Sequence, residues 1–135
     1  MNGAFMTKRI LVVEDDNSLS MLLRLIMKFQ QEKWLLSSAT NGIEALTQVE
    51  KFRPDLVLLD IMIPGMDGLE FARRVRADAR WVNMTIIVLS ALNDPITKHK
   101  AREIGVQEYW TKPISPDDLQ AGLQRVLGGE LPDVP

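Results

Sequence analysis

The sequence predicts an α/β protein, a doubly wound five-stranded parallel sheet with helices on both faces. Three observations predict it. Short runs such as Ile10-Leu11-Val12-Val13 and Leu56-Val57-Leu58-Leu59 are continuously apolar rather than alternating, as strands buried on both faces must be. Longer amphipathic segments with helix-start signals lie between them. The order of strand then helix recurs five times along the chain, which favours parallel strands joined by crossover helices.

The elements follow in order. The first strand, Ile10 to Val13, stops abruptly at Glu14-Asp15-Asp16, and a helix is expected from near Asn17 to about Lys33. Trp34 to Ala39 is a weaker strand candidate. Asn41-Gly42-Ile43-Glu44 reads as a capping box opening the second helix. The run Leu56 to Leu59 ends at Asp60, and Asp67-Gly68-Leu69-Glu70 reads as the cap of the third helix. Thr85 to Leu89 ends at Ser90, and Asp94-Pro95 places a capping side chain before a first-turn proline. Glu108 to Thr111 is the last, weaker strand. Ser115-Pro116-Asp117-Asp118 opens a final helix with acids where its dipole favours them, and Gly128-Gly129 is its expected stop.

The 135 residues suit one domain, and a chain of that length buries roughly two-thirds of its unfolded surface without staples. There is no cysteine, which excludes disulfides, thiolate metal sites and cysteine nucleophiles and fits a cytoplasmic setting. The formal net charge of −2 lacks the basic surplus of a nucleic-acid footprint, so no direct nucleic-acid binding is expected. The apolar stretch Leu19 to Phe29 is interrupted by Ser20, Arg24 and Lys28 and is too short to span a membrane.

In an open parallel α/β sheet, ligands bind at the carboxyl ends of the strands. Glu14 and Asp15, Asp60, Ser90 and Lys112 all fall at such ends. Three carboxylates within about 4–6 Å repel by up to ~4 kcal/mol per pair at an effective dielectric near 20, so a cation is required. Oxygen donors without His or Cys select a hard ion, and few carboxylates combined with phosphate oxygens and water suit Mg²⁺. A carboxylate can act as nucleophile to form an aspartyl phosphate. A lysine and a hydroxyl nearby can compensate the oxygens of the transferred group.

With these residues in place, the chain resembles a response-regulator receiver domain of bacterial two-component signalling. The resemblance rests on Ile10 to Asp15, on Asp60-Ile61-Met62-Ile63-Pro64-Gly65-Met66-Asp67-Gly68, on Leu89-Ser90-Ala91 and on Tyr109-Trp110-Thr111-Lys112-Pro113. It covers residues 8–127. The remaining 128–135 read either as a flexible tail or as the start of a linker. The resemblance implies a flavodoxin-like (βα)5 fold with strand order 2-1-3-4-5. It implies Asp60 as phosphoacceptor, with Glu14, Asp15, Asp60 and the backbone carbonyl of Met62 holding Mg²⁺. It further implies Ser90 and Tyr109 as the switch pair, Lys112 as the partner of the phosphoryl group, and a cis Lys112-Pro113 bond. The expected function is a phosphorylation-dependent signalling switch. Its expected partners are a histidine kinase or phosphotransfer protein and an output partner that the sequence does not name. Catalysis is expected only of its own phosphorylation and dephosphorylation.

Of the three clustered acids, register favours Glu14 and Asp15 for the metal and leaves Asp16 at the helix entrance as a cap. The sequence departs from the family in two places. Gly122 stands where DNA-binding dimeric members often carry arginine, and Trp110 is larger than the usual aliphatic residue. Met62 and Leu92 flank the site with apolar groups, which implies a long-lived phosphoryl group. A haloacid-dehalogenase-type phosphatase would need an aspartate where Met62 stands. A flavin-binding relative would need a hydroxyl- and glycine-rich loop where Glu14-Asp15-Asp16 stands. His99, between Lys98 and Lys100, is expected on a solvated helix face.

Overall fold

A computed structural model describes residues 7–128. Five parallel strands alternate with five helices: β1 Arg9–Val13, α1 Ser18–Gln30, β2 Leu35–Ala39, α2 Gly42–Phe52, β3 Leu56–Leu59, α3 Gly68–Arg76, β4 Thr85–Ser90, α4 Pro95–Ile104, β5 Glu108–Thr111 and α5 Pro116–Leu123. The sheet order is β2-β1-β3-β4-β5, as expected for the flavodoxin-like arrangement.

The central strands sort their side chains by parity. Leu11, Val13, Val57, Leu59, Ile86 and Val88 face one side and pack with Ala45, Val49, Phe71, Ala72, Val75 and Ala101. Ile10, Val12, Leu56, Leu58, Ile87 and Leu89 face the other and pack with Leu19, Leu23, Ile26, Leu119 and Leu123. The sheet thus carries α2, α3 and α4 on one face and α1 and α5 on the other. The inward residues of β1, β3 and β4 are essentially inaccessible to solvent. At about 1.5–3 kcal/mol for each large apolar side chain buried, these two layers supply the main drive for folding.

Register makes the carboxyl edge. Val13 pairs with Leu59, Leu59 with Val88, and Ser90 with Thr111. The next residues are therefore brought level with one another. Asp60 donates its N–H to the Val13 carbonyl at 2.9 Å, and Lys112 donates to the Ser90 carbonyl at 2.9 Å.

The helix starts follow their capping chemistry. Asn41 accepts from the Glu44 N–H, and Glu44 reaches back to the N–H of Thr40. Asp67 accepts from the Leu69 N–H, but Glu70 pairs with Arg73 and Arg74 instead of closing a box. Asp94 and Ser115 cap α4 and α5. α1 ends at Gln30, earlier than the expected Lys33, because Gln31 turns into the left-handed region with φ 61°. The last helix ends at Leu123 and passes into a π-helical turn, Gln124–Gly128; Gly129 and the rest of the expected tail lie outside the described residues. Among the described residues, no helix is long and apolar enough to cross a membrane.

At the opposite edge, the half-buried guanidinium of Arg76 binds four acceptors: the carbonyls of Gly105, Trp81 and Met84 and the side-chain oxygen of Gln107, at 2.6–3.1 Å. This ties the end of α3 to the start of β4 and to the α4–β5 turn. Replacing Arg76 by Met strands several carbonyls at once. A loss of about 3 kcal/mol is expected, checked by urea unfolding. Arg76→Lys should recover little of it, because one ammonium cannot span the acceptors.

Candidate functional site

The four elements that end at the carboxyl edge bring Asp60, Glu14, Ser90 and Lys112 into one cluster. Asp60 leaves β3 with a side chain only 13% exposed. Its Oδ1 accepts from the Ser90 hydroxyl at 3.1 Å and from the Met62 N–H at 3.0 Å. Its Oδ2 accepts from the Lys112 ammonium at 3.1 Å. Both oxygens of the carboxylate are thus held in place. The loop after Asp60 is drawn tight against α3: a Cβ at Gly68 would lie 2.6 Å from the Cα of Ile61, so only glycine fits there.

Glu14 is buried at the end of β1, and its Oε1 accepts from the Leu19 N–H at 2.7 Å. It therefore also satisfies a free backbone donor in the first turn of α1. Burial raises its pKa, as do the charges of Asp16 and Asp60, while the Leu19 bond and the Lys112 charge oppose the rise. Lys112 stands 4.0 Å from Glu14 and 3.1 Å from Asp60. One ammonium is shared between two carboxylates.

The remaining sequence-predicted residues are placed differently. Asp15 is exposed on the loop after Glu14, outside the bonded cluster. Asp16 accepts from the N–H and the hydroxyl of Ser18, which holds its pKa low, so it serves the entrance of α1 as expected. No group of three His, Cys, Asp or Glu side chains among the described residues converges into a ready cation site. The donors are nevertheless of the kind a hard cation takes, and buried Glu14, with its raised pKa, is a carboxylate short of positive charge.

Ser90 is fully buried. Its oxygen also accepts from the Leu92 N–H at 3.3 Å, and the Leu92 carbonyl accepts from the Tyr109 hydroxyl at 2.6 Å. Burial, then the charges of Asp94 and Asp60, raise the Tyr109 pKa and keep its hydroxyl a donor. The Lys98 ammonium lies over the Tyr109 ring, 5.7 Å from its centre. Sequence reasoning named Ser90 and Tyr109 but missed Leu92 as the link between them. The link runs through a backbone carbonyl, which no residue type announces. The Lys112-Pro113 bond is cis, as the resemblance implied, and His99 lies on the exposed face of α4 beside Glu103.

A family profile for the response regulator receiver domain matches residues 10–124. The chain belongs to that family. Receivers are the phosphorylation-dependent switches of two-component signalling, and that is what this chain is. It is 40% identical over 122 residues to the DNA-binding response regulator MtrA of Mycobacterium tuberculosis, covering 90% of this chain and 51% of the relative. It is 34% identical to the sporulation initiation phosphotransferase F of Bacillus subtilis, covering 90% and 95%. Among solved structures it resembles the receiver domain of the sensor histidine kinase PA1611 of Pseudomonas aeruginosa, which holds magnesium in its active-site cleft. That match has TM-score 0.77 and 27% identity and covers 90% of this chain and 98% of that one.

The chain spans about half the length of the MtrA relatives. The expectation of no nucleic-acid partner is corrected by these relatives, which are named DNA-binding. The net charge of receiver residues does not report on what lies beyond them in such proteins.

Glu14 yields a test that needs no ligand. A carboxyl whose folded pKa is raised above 4.5 costs stability as pH rises through the folded value, and the cost is absent below the unfolded value. Glu14→Gln keeps an oxygen for Leu19 and removes the charge. Without Mg²⁺ it should raise the Tm at neutral pH and leave it unchanged near pH 4, as thermal melts across that range would register.

Proposed function

We propose that Asp60 is the phosphoacceptor, taking a phosphoryl group from a histidine kinase or phosphotransfer protein. The observation that carries this reading is the hold on both Asp60 oxygens, by Ser90 and Met62 on one and by Lys112 on the other. A nucleophile held in this way loses little freedom on meeting a phosphorus in line. One carboxylate oxygen forms the bond to phosphorus as the donor's bond to it breaks.

The Lys112 ammonium and the Ser90 hydroxyl then serve the new phosphoryl oxygens. Glu14, Asp15, Asp60 and the Met62 carbonyl would hold Mg²⁺. When bound, the metal supplies the further positive charge that the phosphoryl oxygens and crowded carboxylates need. An apolar hollow lined by Leu19, Leu22, Leu89, Pro113 and Ile114 lies beside Lys112 and offers the donor protein a surface next to the nucleophile. The described receiver, residues 8–127, is the unit that carries these steps, and it works in the cytoplasm.

Recruitment of Ser90 by the phosphoryl group draws on the oxygen that now accepts from the Leu92 N–H. The β4–α4 loop shifts with it, and the Tyr109 bond to the Leu92 carbonyl reports that shift to β5 and α4. The switch is thus a competition for Ser90 between Asp60 as it stands and the phosphoryl group.

Incubation with Mg²⁺ and acetyl phosphate should add one phosphoryl mass to the wild type and none to Asp60→Asn. Chelation of the metal should abolish the increment, and Lys112→Ala should slow its appearance at least tenfold. An increment that survives in Asp60→Asn would refute the assignment. Met62 and Leu92 present no polar group to orient an attacking water. The phosphoryl group is therefore expected to persist for minutes rather than seconds in the isolated protein, measured by loss of mass increment after donor removal.

A further inference from the structure

The two family departures in this chain, Trp110 and Gly122, are in contact. A Cβ built at Gly122 would lie 2.7 and 2.8 Å from two ring carbons of the Trp110 indole. The indole therefore occupies the space that any side chain on α5 at this position would need. It is not free to swing aside. Its Nε1 donates to Glu108 at 2.9 Å, and both Glu108 oxygens accept from Arg125 at 2.7 and 2.8 Å, in the turn that follows α5. Leu119 and Leu123 are fully buried beneath. On the far side of the helix, Gln120 and Gln124 both donate to Glu32, beyond the end of α1.

α4 is held differently. Only Ala101 of its ten residues is buried. Its C-terminal end is pinned where Arg76 binds the Gly105 carbonyl at 3.0 Å. Its N-terminal half rests on the Lys98–Tyr109 contact, and the loop before it on the Tyr109 bond to Leu92. Tyr109 and Trp110 are consecutive on β5 and so point to opposite faces of the sheet, one toward α4 and one toward α5.

We propose that Trp110 and Gly122 interlock to make α5 a fixed wall, so that the response to Asp60 phosphorylation is carried by Tyr109 and the N-terminal half of α4 alone. This rests on the phosphoacceptor reading above. It assigns the changing partner surface to the exposed side of α4, with Ile96 and His99, and leaves α5 constant.

Two measurements test it. Ala is a better helix former than Gly, so Gly122→Ala on an open helix raises the Tm. Here it should lower the Tm in the wild type and raise it in Trp110→Val. The same sign in both backgrounds would overturn the interlock. Hydrogen exchange with and without beryllofluoride and Mg²⁺ should then show altered protection in residues 91–104 and none in 116–123. In Trp110→Val the altered protection should spread into 116–123. A wild-type change in α5 as large as that in α4 would overturn the fixed wall. Absence of any beryllofluoride response, with no phosphoryl increment by mass, would instead refute the phosphoacceptor reading, and the paired substitutions would then judge the interlock by themselves.

Discussion

Everything at the carboxyl edge is arranged around the ammonium of Lys112. It lies 3.1 Å from Asp60 and 4.0 Å from buried Glu14, and it comes from a strand two places away from β3 in the sheet. Two carboxylates this close, one of them buried, would repel strongly without it. The ammonium makes their proximity tolerable and at the same time orients the Asp60 carboxylate. Its position depends on the β4–β5 register, fixed by the bond from the Lys112 N–H to Ser90. The clustering of these charges and the pairing of the strands thus depend on the same ladder of backbone hydrogen bonds.

Two sheet faces divide the labour. On the α2–α4 side, Ser90, Leu92 and Tyr109 form a path of hydrogen bonds from Asp60 to a helix with one buried residue. On the α1–α5 side, apolar packing and the Glu108–Arg125 pair leave little slack. Strand alternation places neighbouring aromatic residues in these two environments, so one strand serves both a mobile and a static layer.

Much of this was legible in the sequence. The apolar runs of β1, β3 and β4 could be read because strands buried on both faces have no alternation to hide them, and each ends at a polar residue of the site. Glu14, Asp60 and Ser90 were found for that reason; Lys112, after the weaker strand β5, stood out with Pro113 beside it. What could not be read was pairing that depends on three-dimensional approach. Asp15 stands outside the bonded cluster although it adjoins Glu14, since consecutive residues at a strand end diverge. Trp110 and Gly122 were each noticed as departures, but their contact spans twelve positions across a strand and a helix, and neither residue type implies the other. The early end of α1 depends on a left-handed Gln31, a conformation that glutamine seldom adopts. The charge balance misled about nucleic acid because it measured only one part of what the relatives contain.

The Arg76 cluster carries a consequence for how the domain meets changing solvent. Burial lowers its pKa, yet its partners are carbonyl and amide oxygens rather than carboxylates. Guanidinium keeps its proton at any pH at which a protein stays folded, and these acceptors have none to gain. Protonation of Glu14, whose buried charge costs stability, relieves the opposite rim of the sheet, while this one is untouched. The molecule therefore has a pH-responsive end, where Glu14 is buried, and an acid-indifferent end, where the chain is tied together.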